Sequence, residues 1–222
     1  MATMPGDSLH EQVYQKIKSD ILLGLYPPGE KLDVNGLAIQ YNVSRTPVRD
    51  ALHVLQREDL VEILPRVGYF TSRITIKDIE DVFQLRLIVE TASAELAAVR
   101  ISEEDLAYLE RLSGRYVAGD VQSYREFLAE NREFHHRVAL ASGNRRLAQV
   151  VDGLLNQMQR MLVLRLDLRD NADEMLAEHG RLLSALRACD SVAARELMAD
   201  ALRNAQEAVM QSILTKGKDW PL

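Results

Sequence analysis

Two parts of the sequence place functional side chains at helical spacing. The first is "NVSRTPVRDAL", residues 42–52, where Arg45 and Arg49 stand four residues apart and flank Thr46 and Pro47. That interval puts both guanidinium groups on one face of a helix. Guanidinium makes paired hydrogen bonds with phosphate oxygens or with O6 and N7 of guanine. Backbone N–H groups at a helix start add attraction for phosphate. The second part is dispersed: Arg86, Asn131, His135 and His179 each interrupt an otherwise apolar helical stripe. An arginine in such a stripe is expected either to pair with a carboxylate one turn away, here Glu90, or to await an anionic ligand. One histidine on an apolar face is usually a satisfied core residue. Two of them, with Asn131 one turn before His135, suit a polar pocket or a metal site.

The surrounding pattern supplies the elements that would position these groups. Residues 8–24 predict a helix with Leu9, Val13, Ile17 and Ile21 on one face and Ser8 with Glu11 as a capping box. Gly24 and "PPG" at 27–29 stop it. "DVNGLAIQYN" predicts a short helix capped by Asp33. "VSRTPVRDALHVLQRED" predicts a third, capped by Ser44, with proline in the first turn and Val48, Ala51, Leu52 and Leu55 buried. The period then changes to two. Val61 and Ile63 alternate, residues 65–68 turn, and Tyr69, Phe70 and Thr71 return as a small hairpin. Three helices and a hairpin make a winged helix-turn-helix. The second helix of such a motif enters the major groove by its N-terminal residues.

From Thr75 onward only helical periods remain, roughly 75–99, 102–118, 121–142, 144–168, 171–188 and 190–214. The expected fold is therefore mainly α. A winged helix-turn-helix DNA-binding domain over 1–74 precedes an antiparallel helical bundle over 75–222, the effector-binding and dimerisation domain.

Composition limits the alternatives. The 222 residues are 47% hydrophobic and 27% charged, with a net charge of −6. Residues 1–74 hold eight Lys and Arg against nine Asp and Glu, so nucleic-acid affinity must come from placed contacts. The single cysteine, Cys189, excludes a disulfide framework and is expected at the edge of the core near a helix end. The opening "MATMPGDSLHEQ" has neither the basic start nor the apolar run of a signal peptide, and no run of 18 apolar residues exists. A cytoplasmic protein without a membrane partner is expected.

The stretch "GLAIQYNVSRTPVRDALHVLQREDLVEILPRVGYFTS", residues 36–72, with "PPGEKLD" at 27–33, resembles the N-terminal domain of GntR-family transcriptional regulators. Asp59 stands where glycine is usual, and Thr71 stands near the usual wing valine. The resemblance implies operator contacts from Arg45, Thr46 and Arg49, with Ser44 on phosphate. Gly68, beside Arg66 and Tyr69, would reach the minor groove or backbone. Asn35 stands where a basic residue is common. Further on, "RLIVE" at 86–90, "NREFH" at 131–135, "SGN" at 142–144, "EHGRLLSAL" at 178–186 and "DSVAARELM" at 190–198 resemble the FCD effector domain of the FadR-type branch.

That resemblance implies a homodimer on a palindromic operator in double-stranded DNA, and a small carboxylate effector near Arg86, Asn131, His135 and His179. Arg165 is a further candidate anion contact. It also implies one divalent ion, zinc or nickel, held by Asn131, His135 and His179. Two departures bear on that ion: asparagine stands at 131 where the pattern has aspartate, and Ala201 stands where it has a third histidine. Together they tip the balance against a metal. Repression released by ligand is the commoner arrangement in the family.

A metal-dependent hydrolase of a small carboxylate, using the same histidines with Glu133 and Glu178, is the competing expectation. It lacks a nucleophile elbow or phosphate loop and leaves the winged half without a task. A winged helix used only for protein contacts is a third, and it would show no salt-sensitive DNA binding.

Overall fold

The computed structural model describes residues 9–112, 117, 120–163 and 172–216. The chain divides between Ile74 and Thr75 into two compact units.

The first unit runs α1 (Leu9–Leu22), β1 (Lys31–Leu32), α2 (Val34–Gln40), α3 (Arg45–Arg57), β2 (Val61–Leu64) and β3 (Gly68–Thr71). Its core joins Val13, Ile17 and Ile21 of α1 to Leu37 and Ala38 of α2, and to Val48, Ala51, Leu52 and Leu55 of α3. Asp33 caps α2, its carboxylate accepting from the N–H groups of Asn35 and Gly36 at 3.1 and 3.0 Å. The expected cap at Ser8 lies outside the described residues.

Helix α3 closes on a paired turn. Leu60 N–H donates to Leu55 C=O at 3.0 Å and Asp59 N–H donates to Gln56 C=O at 3.1 Å. This closure needs a left-handed residue just past the helix. Asp59 fills that place with φ of 58°, which is why glycine is usual there.

The hairpin pairs Val61 with Thr71 and Leu64 with Gly68, turning through Arg66 at φ 65°. A third strand, β1, adds to the far edge of β3, giving the order β1-β3-β2. At two residues β1 is too short to show alternation, so the sequence does not predict it. Thr71 explains the addition. Its fully buried hydroxyl donates to Pro27 C=O and accepts from Glu30 N–H, tying the Pro-Gly segment to the wing.

The second unit holds α4 (Ile76–Ala98), α5 (Glu103–Arg111), α6 (Val121–Ala141), α7 (Arg145–Val163), α8 (Ala172–Arg187) and α9 (Ser191–Lys216). A capping box opens α4: Thr75 Oγ1 accepts from Asp78 N–H, and Asp78 accepts from Thr75 N–H. Helix α4 is the axis of the bundle and packs on α6, α7, α8 and α9. The helix expected over 102–118 stops at Arg111, and Val117 is not helical. Its buried residues, Leu106 and Leu109, fall within its first turns.

Cys189 corrects an expectation. It is exposed rather than at the core edge, because it is the left-handed residue, φ 55°, that closes α8 in the same paired turn. No helix among the described residues is long and apolar enough to cross a membrane.

Candidate nucleic-acid interface and effector pocket

In the first unit α3 is divided lengthwise. Pro47, Val48, Ala51, Leu52 and Leu55 are buried, whereas Ser44, Arg45, Thr46 and Arg49 are exposed. Among the described residues no hydrogen bond or ion pair engages the side chain of Arg45 or Arg49. The nearby carboxylate of Asp50 is instead 3.4 Å from His10. Ser44 takes the N-cap position with extended backbone, as expected, but its hydroxyl makes no capping hydrogen bond. Proline at the third helical position removes one of the N–H groups that such a cap would serve.

Asn35, Asn42, Ser44 and Arg45 line one open groove between α2 and α3, so Asn35 does share a face with the arginines. In the wing Arg66 is exposed at the turn, and Gly68, at φ 143°, has Lys31 close enough that a side chain there would press on it. Tyr69 is half-buried against the core, with its ring edge-on to His53. It therefore supports the wing as much as it presents a hydroxyl.

In the second unit a cavity of about 60 Å³ opens among α4, α6, α7, α8 and α9, lined by Arg86, Asn131, His135, Met158, His179 and Ala201 among others. All four interrupting residues of the sequence thus meet in one place. Arg86 Nε lies 2.5 Å from Glu90 Oε1, and His135 Nδ1 lies 2.6 Å from Glu90 Oε2. Arg86 and Glu90 are only 4% and 1% exposed, so both charges are out of water. Burial alone would raise the pKa of Glu90, but Arg86 and His135 together hold it down to about 2. The carboxylate is ionised and receives the Nδ1 proton of His135, leaving Nε2 as that ring's remaining polar atom.

His179 stacks on Phe134, ring centroids 3.8 Å apart and 8° from parallel, and meets His135 edge-on at 5.6 Å. Burial, with the electrostatic influence of neighbouring His135, lowers its pKa to about 3, so it is neutral. Glu178 accepts from Asn204 Nδ2 at 2.7 Å on the α8–α9 side. The Oδ1 atom of Asn131 is buried and has no hydrogen-bond partner.

The sequence pattern points to Arg86, Asn131, His135 and His179, and to Glu90 only as a partner of Arg86 one turn away. The bridging role of Glu90 carries no local signal, because it depends on how separate helices pack. Arg165 lies outside the described residues.

The donor set does not suit a divalent transition metal. Asn131 offers a neutral amide, His135 has Nδ1 committed to Glu90, and Ala201 offers nothing on the α9 wall. Among the described residues no group of three or more His, Cys, Asp and Glu side chains is placed to hold an ion.

The FCD domain model matches residues 81–204, more than half of the chain, and the model of bacterial regulatory proteins of the gntR family matches residues 9–71. The chain belongs to the GntR family. It is a transcriptional regulator with a DNA-binding domain and an FCD effector domain. The regulator is 26% identical over 217 residues to the HTH-type transcriptional repressor RspR of Escherichia coli, covering 97% of this chain and 95% of that one. It is also 26% identical over 188 residues to the HTH-type transcriptional regulator YdhC of Bacillus subtilis, covering 83% and 84%. Among solved structures, E. coli McbR/YncC superposes with a TM-score of 0.79 at 23% identity, covering 92% of this chain and 98% of that one, which establishes a shared fold.

Proposed function

We propose that the regulator is a homodimeric, cytoplasmic repressor whose affinity for a palindromic operator is controlled by a small carboxylate bound in the FCD pocket. One observation carries this. Arg45 and Arg49 are exposed and unpartnered among the described residues, at the start of a helix whose other face is buried. Arg45, Thr46 and Arg49 then contact the operator in the major groove, through base edges or phosphate oxygens, and Ser44 meets phosphate. Asn35 reaches an adjacent phosphate, and Arg66, Gly68 and Tyr69 of the wing reach the minor groove or backbone. Because the unit is not basic overall, affinity rests on these contacts and on two copies engaging half-sites one DNA turn apart.

The repressor assignment draws on the printed name of the RspR relative. The effector assignment draws on the convergence of Arg86, Asn131, His135 and His179 on one cavity, with Arg165 assigned from sequence alone as a further anion contact. Occupancy shifts operator affinity by binding one of two states more tightly. Regulation in this scheme needs no catalytic step.

The test is a footprint on DNA upstream of the regulator's own gene, with and without a panel of small carboxylates. A salt-sensitive protected palindrome, released by one acid, is expected. Failure to bind any duplex, or binding indifferent to salt, would remove the DNA assignment. A footprint unmoved by every acid that binds the protein would remove the effector assignment.

A further inference from the structure

We propose that the pocket holds a small hydroxy acid directly, with its carboxylate on Arg86 and its hydroxyl on Asn131, and with no metal ion between protein and ligand. This rests on the assignment of the cavity as the effector site.

Three observations converge. First, a guanidinium has five N–H donors. Arg86 spends Nε on Glu90, its two terminal nitrogens make no hydrogen bond among the described residues, and the residue lines the cavity. A largely buried arginine with its fork unspent calls for an anion of matching planar shape, and carboxylate has it. Glu90 does not remove the attraction. It engages Arg86 through Nε alone and gives its other oxygen to His135, so the terminal nitrogens of Arg86 remain unspent.

Second, the Asn131 amide keeps a buried atom without a partner. Leaving it so on ligand binding is costly, which makes it a selection device. A hydroxyl both donates and accepts, so it satisfies the amide in either orientation. An ammonium satisfies only one, and a methyl group neither.

Third, the cavity is small, about 60 Å³, which suits a short acid better than a long acyl chain. On the α9 side Ala201, Ala205, Ala208 and Val209 are apolar, Ala201 standing where a metal ligand would otherwise be, and Asn204 is spent on Glu178 at 2.7 Å.

The experiment uses the full chain stripped with EDTA and titrated calorimetrically with 2-hydroxypropanoate, with propanoate, which lacks the hydroxyl, and with alanine, which replaces it by ammonium. Binding of the hydroxy acid without metal is expected, with propanoate and alanine weaker on the order of tenfold. Added zinc or nickel should leave the affinity unchanged. Asn131→Leu should erase the preference over propanoate, and Arg86→Gln should weaken both acids. Should Arg86→Gln fail to fold, the ligand series on the parent protein still decides.

Hydroxy-acid binding that appears only after metal is added, an equal affinity for propanoate, a preference for alanine, or no binding of any of the three overturns the proposal. Footprinting separates this from the wider reading. Metal-free binding with no effect on DNA would spare the site and sink effector control. Release of DNA only by a metal–acid combination would spare effector control and sink the direct site.

Discussion

Nδ1 of His135 sits 2.6 Å from Oε2 of Glu90, across 45 positions of sequence, and so joins α6 to α4 through one buried carboxylate. The other oxygen of that carboxylate takes Arg86. The bundle thus contains an Arg–Glu–His chain that ends on the cavity wall. Such a chain restricts the motion of two ligand-facing groups, and it confers more on recognition than on stability, because the desolvation of three ionisable groups offsets most of their attraction.

Removing the centre of that chain should be far more damaging than the net value of the chain suggests. Glu90→Gln leaves Arg86 as an uncompensated buried cation. Urea denaturation of the parent and variant should show a loss on the order of 3 kcal/mol in the transition of the helical unit. An unchanged midpoint would mean that Glu90 is not ionised between these partners.

The neutral His179 makes stability depend on pH. Its pKa is lowered to about 3 in the folded protein, against about 6.5 when free, so the unfolded chain binds the proton more readily. Stability is therefore complete above the free value and falls as pH drops below it. The limiting slope is about 1.4 kcal/mol per pH unit for this one group. Glu90, held at about 2, adds loss in the same direction, but only below the ordinary carboxylate range. Denaturation in EDTA between pH 6.5 and 5 therefore separates the histidines from Glu90, and the variant below separates His179 from the others. His179→Gln should flatten the slope in that window, and an identical slope in parent and variant would refute its assignment as a buried neutral group.

What the sequence disclosed follows from interaction range. The Arg86–Glu90 pair is legible because one helical turn separates the two residues, and the divided face of α3 is legible from the spacing of Val48, Ala51, Leu52 and Leu55. The Glu90–His135 link is not, since it depends on the rotation of α6 against α4. Strand β1 is hidden because two residues carry no period, and the hydroxyl of Thr71 that holds it acts over 41 positions. Ser44 shows a local signal overridden locally: the residue type predicts a side-chain cap, and Pro47 removes a donor the cap would use. The sequence located Cys189 correctly at a helix end, but composition says nothing of left-handed backbone.

That backbone gives a third prediction. Cys189 holds φ of 55° with its side chain in solvent, a conformation that strains any residue with a Cβ. Cys189→Gly should stabilise the helical unit by about 1 kcal/mol, whereas Cys189→Ala should bring no such gain. Thermal denaturation under reducing conditions measures both. A destabilised glycine variant would show that the thiol makes a contact worth more than the strain.

The fourth prediction separates the two arginines of α3 by what they touch. Both are exposed and unpartnered among the described residues, so Arg45→Ala and Arg49→Ala should leave the melting temperature unchanged. Their effects on DNA should differ in kind if one meets phosphate and the other a base edge. Loss of a phosphate contact weakens all duplexes alike and reduces the slope of log affinity against log salt by about 1 per protomer. Loss of a bidentate contact to guanine costs about 1–3 kcal/mol on the operator only, and relaxes the choice of base at one position of each half-site. The geometry at the helix start favours Arg49 for the base, since Arg45 stands at the first helical residue beside the open groove with Ser44 and Asn35. Competition binding of both variants against an operator library at several salt concentrations reads the two signatures separately. If neither variant changes affinity, salt slope or base preference, the exposed face of α3 is not the surface that meets DNA.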